Sequence, residues 1–221
     1  VDRRKVTKLP DTMTFNQGAM IEPLAVTVHA AHHFSSLEKA KVVVIGAGPI
    51  GILLMQTCRA MGAEVMITDI SDGRLEKGKE CGADYAYNTL QTDFGAAMVE
   101  CFGKDKADVI YDCAGNNISM GQAIKYARKG SKIVLVAVFA SMANVDLAVL
   151  NDHELDLDTT MMYTHKDYVE AIKLVDEGKV RLEPLMSRHF AFKEYLDAYK
   201  YIDANREDTM KVIIDVDNEG E

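Results

Sequence analysis

Three glycines, Gly46, Gly48 and Gly51, stand in the pattern G-x-G-x-x-G, and an acid, Asp69, follows about 20 residues on. Each glycine has a separate physical task. Gly46 allows a tight turn, Gly48 lets the main chain approach a pyrophosphate with no Cβ in the way, and Gly51 lets a helix pack closely on a strand. The unpaired N–H groups at the start of that helix, with Pro49 at its first position and Ile50 beside it, would then face the phosphates. An acid such as Asp69 at the end of the next strand accepts hydrogen bonds from ribose hydroxyls and repels a 2′-phosphate, so the pattern points to NAD rather than NADP. Arg74 is close enough in sequence to cover an adenine or touch a phosphate.

Other residue types invite chemistry less strongly. His29, His32 and His33 cluster, but no glutamate pairs with them as in an H-E-x-x-H helix, so they read as packed or surface helical histidines. Cys58, Cys81, Cys101 and Cys113 form no C-x-x-C, and read as buried free thiols. Glu22 reads as a carboxylate at a helix start, stabilised by the helix dipole. No G-x-S-x-G, S-x-x-K or H-E-x-x-H occurs, so the residues alone supply a nucleotide site and no catalytic group.

The elements that must position the glycines follow from periodicity. Residues 41–45, KVVVI, are a β-prone apolar run, a helical pattern continues to Met61, and a second strand ends at Asp69. Further strands are predicted at 83–88, 107–112 and 131–138, with helices at 71–81, 94–102 and 120–127 between them. A helix is predicted over 21–33 with Pro23 in its first turn, and residues 1–20 read as an extended lead-in. Beyond Asp146 the pattern is less regular: a sixth strand within 154–163, helices over 167–177 and 192–202, and a closing strand at 211–216. Apolar strands alternating with helices predict an α/β fold, a doubly wound parallel sheet with a carboxyl-terminal helical and strand extension. Ligands of such a sheet lie outside the carboxyl ends of its strands, where Gly48, Asp69, Gly115 and Val138 fall.

Composition narrows the class. A net charge of −9 over 221 residues argues against nucleic acid or an anionic membrane as partner. No stretch approaches the ~18 consecutive apolar residues of a membrane helix, and VDRRKVTKLP lacks the apolar core of a signal peptide, so a cytoplasmic protein is expected.

Several runs together resemble a known family: KLPD at 8–11, EPLAVTVHA at 22–30, the 46–51 loop, GAD at 82–84 and LEPL at 182–185. They resemble the medium-chain dehydrogenase/reductases, and most of all their zinc-dependent polyol (sorbitol, iditol) branch. The resemblance implies a Rossmann cofactor domain over 21–163, with 1–20 and 164–221 as parts of a catalytic domain whose zinc-binding Cys and G-H-E motif are not in this sequence. It implies hydride transfer between a secondary alcohol or polyol and NAD in the complete enzyme, and NAD binding without turnover by this chain. It places Glu22 in a zinc site whose other ligands are missing, so tight zinc binding is not expected here. It also places Val26 against the nicotinamide, and Ile50 and Arg74 on the pyrophosphate and adenosine. Val138 joins this set of cofactor contacts as the residue at the end of the fifth strand.

One departure is visible: the branch carries an aromatic-Arg-aromatic run where this chain has Met161-Met162-Tyr163, which puts polyol specificity in question. The edge near 155–163 is expected to join subunits of a homo-oligomer. The alternative reading is a non-catalytic nucleotide-binding or assembly module of the same fold; an S-adenosylmethionine site is a remoter one.

Overall fold

A computed structural model describes residues 2–216. Six parallel strands form the central sheet in the order β3-β2-β1-β4-β5-β6: β1 (Lys41–Ile45), β2 (Glu64–Asp69), β3 (Tyr85–Asn88), β4 (Val109–Asp112), β5 (Lys132–Leu135) and β6 (Asp156–Thr159). The chain starts at the centre, winds outward through β2 and β3, then returns to β4 on the other side of β1. The strand order therefore reverses between β1 and β4, which opens a crevice at their carboxyl ends.

Alternation along β1 divides the interior into two layers. Val42 and Val44 point to one face, with α1 (Phe15–Ala31), α2 (Pro49–Ala60) and α7 (His165–Asp176) packed there. Val43 and Ile45 point to the other, against α4 (Phe94–Phe102), α5 (Asn117–Tyr126) and α6 (Leu147–Asp152). Helix α3 (Asp72–Glu80) joins β2 to β3. With both faces covered, a continuous apolar run such as KVVVI is what a central parallel strand requires.

The carboxyl-terminal segment forms a second, two-stranded parallel sheet, β7 (Met186–Ala191) with β8 (Lys211–Asp215), bridged by α8 (Tyr195–Ala204). Leu182, Leu185 and Met210 join the same apolar cluster as α1 and α2, so the extension is packed onto the main sheet. Gln56 pairs with the backbone of Arg181 in both directions, at 3.0 and 2.8 Å.

The structure corrects four expectations. Helix α1 starts at Phe15, because Thr14 caps it and Gln17 closes a capping box, so residues 15–20 are helical and not an extended lead-in. Pro23 consequently sits inside the helix, and Glu22 lies beyond the first turn, where the dipole argument for it no longer holds. Strand β5 ends at Leu135, three residues before Val138. No helix among the described residues is long and apolar enough to cross a membrane.

Candidate functional site

The glycine loop is built as the spacing requires. Gly46 has φ +100°, a conformation that favours glycine, and its N–H donates to the Thr68 carbonyl at 2.7 Å. A Cβ at Gly51 would run into the carbonyl oxygen of Gly46, so α2 can close on β1 only with glycine there. Gly48 is different: it is the N-cap of α2, has φ −74°, and a Cβ on it would meet nothing within 4 Å. It faces open space at the mouth of the crevice. The first intrahelical bond runs from Ile52 N–H to Gly48 C=O at 2.9 Å, and no side chain caps the helix. Pro49 has no N–H, so the Ile50 and Gly51 amides are the first-turn donors left for an anion.

Asp69 sits at the carboxyl end of β2 and ties the loop to the following turn. Its Oδ2 accepts from Ala47 N–H at 2.7 Å, and its Oδ1 from the Ile70 and Ser71 amides at 2.8 and 2.9 Å. Those three donors leave part of the carboxylate's acceptor capacity unused. The cap of α3 is Ser71, so Asp69 is not itself a helix cap.

Gly46, Gly48, Asp69 and Arg74 all line one cavity of about 600 Å3. Arg74 also donates through Nε and Nη2 to the carbonyls of Glu207 and Arg206, at 3.3 and 3.0 Å, which fastens the link between α8 and β8 to the rim. The opposite wall lies at the strand end that Gly115 marks in the sequence: Cys113, Ala114 and Asn116 after β4, Ile118 and Ser119 in the first turn of α5, and Thr89 after β3, none of them expected as a site residue. The sequence signal was there, since Asn116 followed three residues later by Ser119 is a capping box. A Cβ on Gly46 would come within 3.1 Å of Ala114 N, so this turn abuts the glycine loop.

The other expected residues lie outside the cavity lining. Val138 is 76% exposed, past the end of β5. Val26 is half-buried and Glu22 exposed, a helical turn apart on α1. Burial first, and then the Glu22 carboxylate beside it, push the Tyr163 phenol up, so Glu22 stands against a tyrosine. Among the described residues no group of three or more His, Cys, Asp or Glu side chains is arranged to hold a metal ion. The residues present do not fit a zinc centre.

The histidines do structural work. His29 Nδ1 and His32 Nδ1 bond the two oxygens of Asp167 at 2.9 and 3.1 Å, and His33 Nδ1 bonds Asp158 at 2.9 Å. They join the end of α1 to α7 and β6. Burial raises the Asp167 carboxyl, but hydrogen bonds from the Thr164 amide and hydroxyl and from His32, with His29 alongside, outweigh it and hold the group below the usual range. Of the cysteines, Cys58 and Cys81 are buried, while Cys101 and Cys113 are only half-buried. Burial pushes the Cys58 thiol far up, leaving it neutral and unreactive.

A doubly wound parallel sheet with a glycine loop and a strand-end acid at its switch point defines a Rossmann-like α/β fold. Residues 49–177 match the family described as zinc-binding dehydrogenase, and the chain belongs to that family. Sorbitol dehydrogenase 1 of Saccharomyces cerevisiae is 32% identical over 216 residues, which cover 95% of this chain and 60% of the yeast protein. The crystal structure of L-idonate 5-dehydrogenase from Escherichia coli superposes with a TM-score of 0.86 at 27% identity, over 95% of this chain and 60% of that one. A structure described as a short chain alcohol dehydrogenase from Escherichia coli CFT073, complexed with NADH, gives a TM-score of 0.84 at 28% identity, covering 93% of this chain and 61% of that one. The chain thus spans about 60% of the length of the relatives it matches.

Proposed function

We propose that this chain is the NAD-binding portion of a zinc-dependent alcohol or polyol dehydrogenase, a cytoplasmic oxidoreductase that moves hydride between a secondary alcohol and NAD. The observation that carries the reading is the cavity shared by Gly46, Gly48, Asp69 and Arg74 at the switch point of the sheet. In this reading the Ile50 and Gly51 amides hold the pyrophosphate, with Pro49 presetting the turn, and Gly48 leaves room for it. Asp69 accepts a ribose hydroxyl with its remaining lone pairs and selects against a 2′-phosphate. Arg74 borders the adenosine end. NAD supplies the hydride chemistry when bound.

Val26 and Val138 are proposed to approach the nicotinamide end, and Glu22 to belong to the metal centre of the complete enzyme. The described residues of this chain do not by themselves form a zinc site. The division proposed is residues 21–163 for the cofactor and 1–20 with 164–221 for the catalytic domain. The chain alone then binds NAD and turns over nothing. The exposed β6 edge, with Leu157, Met161 and Met162 at the surface, is proposed as the contact between copies in a homo-oligomer.

The experiment is equilibrium binding of NAD and S-adenosylmethionine to the 221-residue chain, with an NAD-reduction assay on sorbitol beside it. NAD binding without S-adenosylmethionine binding and without turnover is expected. Preferential binding of S-adenosylmethionine would overturn the cofactor, and NAD reduction with sorbitol would overturn the division of labour.

A further inference from the structure

The wall facing the glycine loop is held by a buried carboxylate. Asp112, the last residue of β4, is 0% exposed. Its Oδ1 accepts from the Ala114 and Gly115 amides at 3.0 and 3.1 Å, and its Oδ2 faces Ser119 Oγ at 3.0 Å. Ser119 is itself buried, and its Oγ lies 2.9 Å from the Asn116 carbonyl and accepts from Asn116 N–H at 3.1 Å. The residues so tethered, Ala114, Asn116 and Ser119, line the cavity, and Ala114 is the residue that abuts Gly46.

A hydroxyl has one proton to donate, and Ser119 has two acceptors for it. With Asp112 ionised the proton goes to the carboxylate, because a charge-assisted bond is roughly twice as strong as a neutral one. The Ala114 and Gly115 amides gain from the same charge. With Asp112 neutral, its own O–H can donate to Ser119, the serine proton turns to the Asn116 carbonyl, and the amide bonds weaken.

We infer that Asp112 is a positioning residue for the dinucleotide site: its ionised carboxylate, acting through Ala114, Gly115 and Ser119, holds the 113–119 wall against the glycine loop, and loss of that charge weakens dinucleotide binding. The inference rests on the nucleotide reading of this cavity. Asp112 touches no reacting atom and acts through the turn alone.

Acid dependence follows from the surroundings. Burial pushes the Asp112 carboxyl up, against the opposing pull of the Gly115 and Ala114 amides and Ser119, so it takes a proton before an ordinary carboxylate as pH falls. The adjoining Cys113 thiol is pushed well up by burial and stays neutral throughout. The register partners of Asp112 on β1 and β5, Ile45 and Leu135, carry no charge. Asp69 on β2 is the carboxylate that lines the cavity itself, and it is present alike in wild type and Asp112 variants.

The test is calorimetric titration of NAD into the whole chain as wild type, D112N and S119A, from pH about 7.5 down to about 4.5, with thermal melts of each. D112N is expected to bind NAD roughly 5–10-fold more weakly at the upper pH and S119A roughly 3-fold more weakly. The ratio of wild-type to D112N affinity is expected to shrink towards one as pH falls, a readout that a merely structural role would not move. Equal affinity of wild type and D112N, or a ratio that does not change with pH, would overturn the positioning role and leave the nucleotide reading intact. Failure of wild type to bind NAD would overturn both. Should D112N not fold, S119A, which leaves the carboxylate and its two amide bonds in place, carries the comparison: wild-type affinity in S119A would overturn the role.

Discussion

Replacing Gly48 by alanine separates the needs of the fold from the needs of a ligand. The residue has φ −74° and ψ −178°, which any amino acid adopts, and an added Cβ meets nothing within 4 Å. Removing a glycine from the unfolded ensemble stabilises by about 0.4–1 kcal/mol, while alanine is a poorer N-cap than glycine by a similar amount. The two offset, so stability should stay within about 1 kcal/mol and Tm within roughly 2–4 °C. The ligand meets a different surface. A methyl group at the mouth of the crevice holds a pyrophosphate away from the Ile50 and Gly51 amides, and two charge-assisted hydrogen bonds are worth about 1.5–3 kcal/mol each. Losing both costs about 3–6 kcal/mol, so the NADH dissociation constant should rise roughly 10²- to 10⁴-fold. A thermal melt and an NADH fluorescence titration on the same preparation read both halves. A G48A chain that melts like wild type and binds NADH equally well would refute the loop as the phosphate site.

Gly51→Ala should behave in the opposite manner. Its Cβ collides with the Gly46 carbonyl, so overpacking of about 1–3 kcal/mol is set against roughly 1 kcal/mol of helix propensity, and both melting temperature and NAD affinity should fall. Asp167→Asn should destabilise by about 2 kcal/mol at neutral pH, through the lost capping box and imidazole contacts. Because the folded-state carboxyl is held below its unfolded value, that contribution is present above the unfolded value and is lost as pH falls through the folded one; urea titrations of wild type and variant should converge in acid. Leu157→Lys on the exposed β6 edge should shift a homo-oligomer to smaller species in sedimentation velocity; an unchanged distribution would remove that edge as the contact.

The sheet and the glycine loop were legible because parallel strands buried on both faces must be apolar throughout, and because three glycines at fixed spacing have few other uses. KVVVI and the 46–51 loop carry both signals undiluted. The start of α1 was not legible from apolar spacing, since Phe15 is 93% exposed and the helix begins on a polar cap, Thr14 with Gln17. Strand β7, with Ser187, Arg188 and His189 exposed, lacks the burial that would give it a pattern. The far wall of the cavity was legible only as the strand end at Gly115. Its residues act through turn geometry, and the carboxylate that holds them, Asp112, reads in the sequence only as the end of a strand.

The central claim, that the crevice lined by the glycine loop and Asp69 is an NAD site, is tested most directly by parallel calorimetric titrations of NAD and NADP into wild type and Asp69→Ala. One NAD per chain is expected, bound more tightly than NADP, with the preference lost in the variant because the acceptor for the ribose hydroxyl and the charge that repels a 2′-phosphate leave together. Tighter binding of NADP than NAD by wild type, or no binding of either, would contradict it.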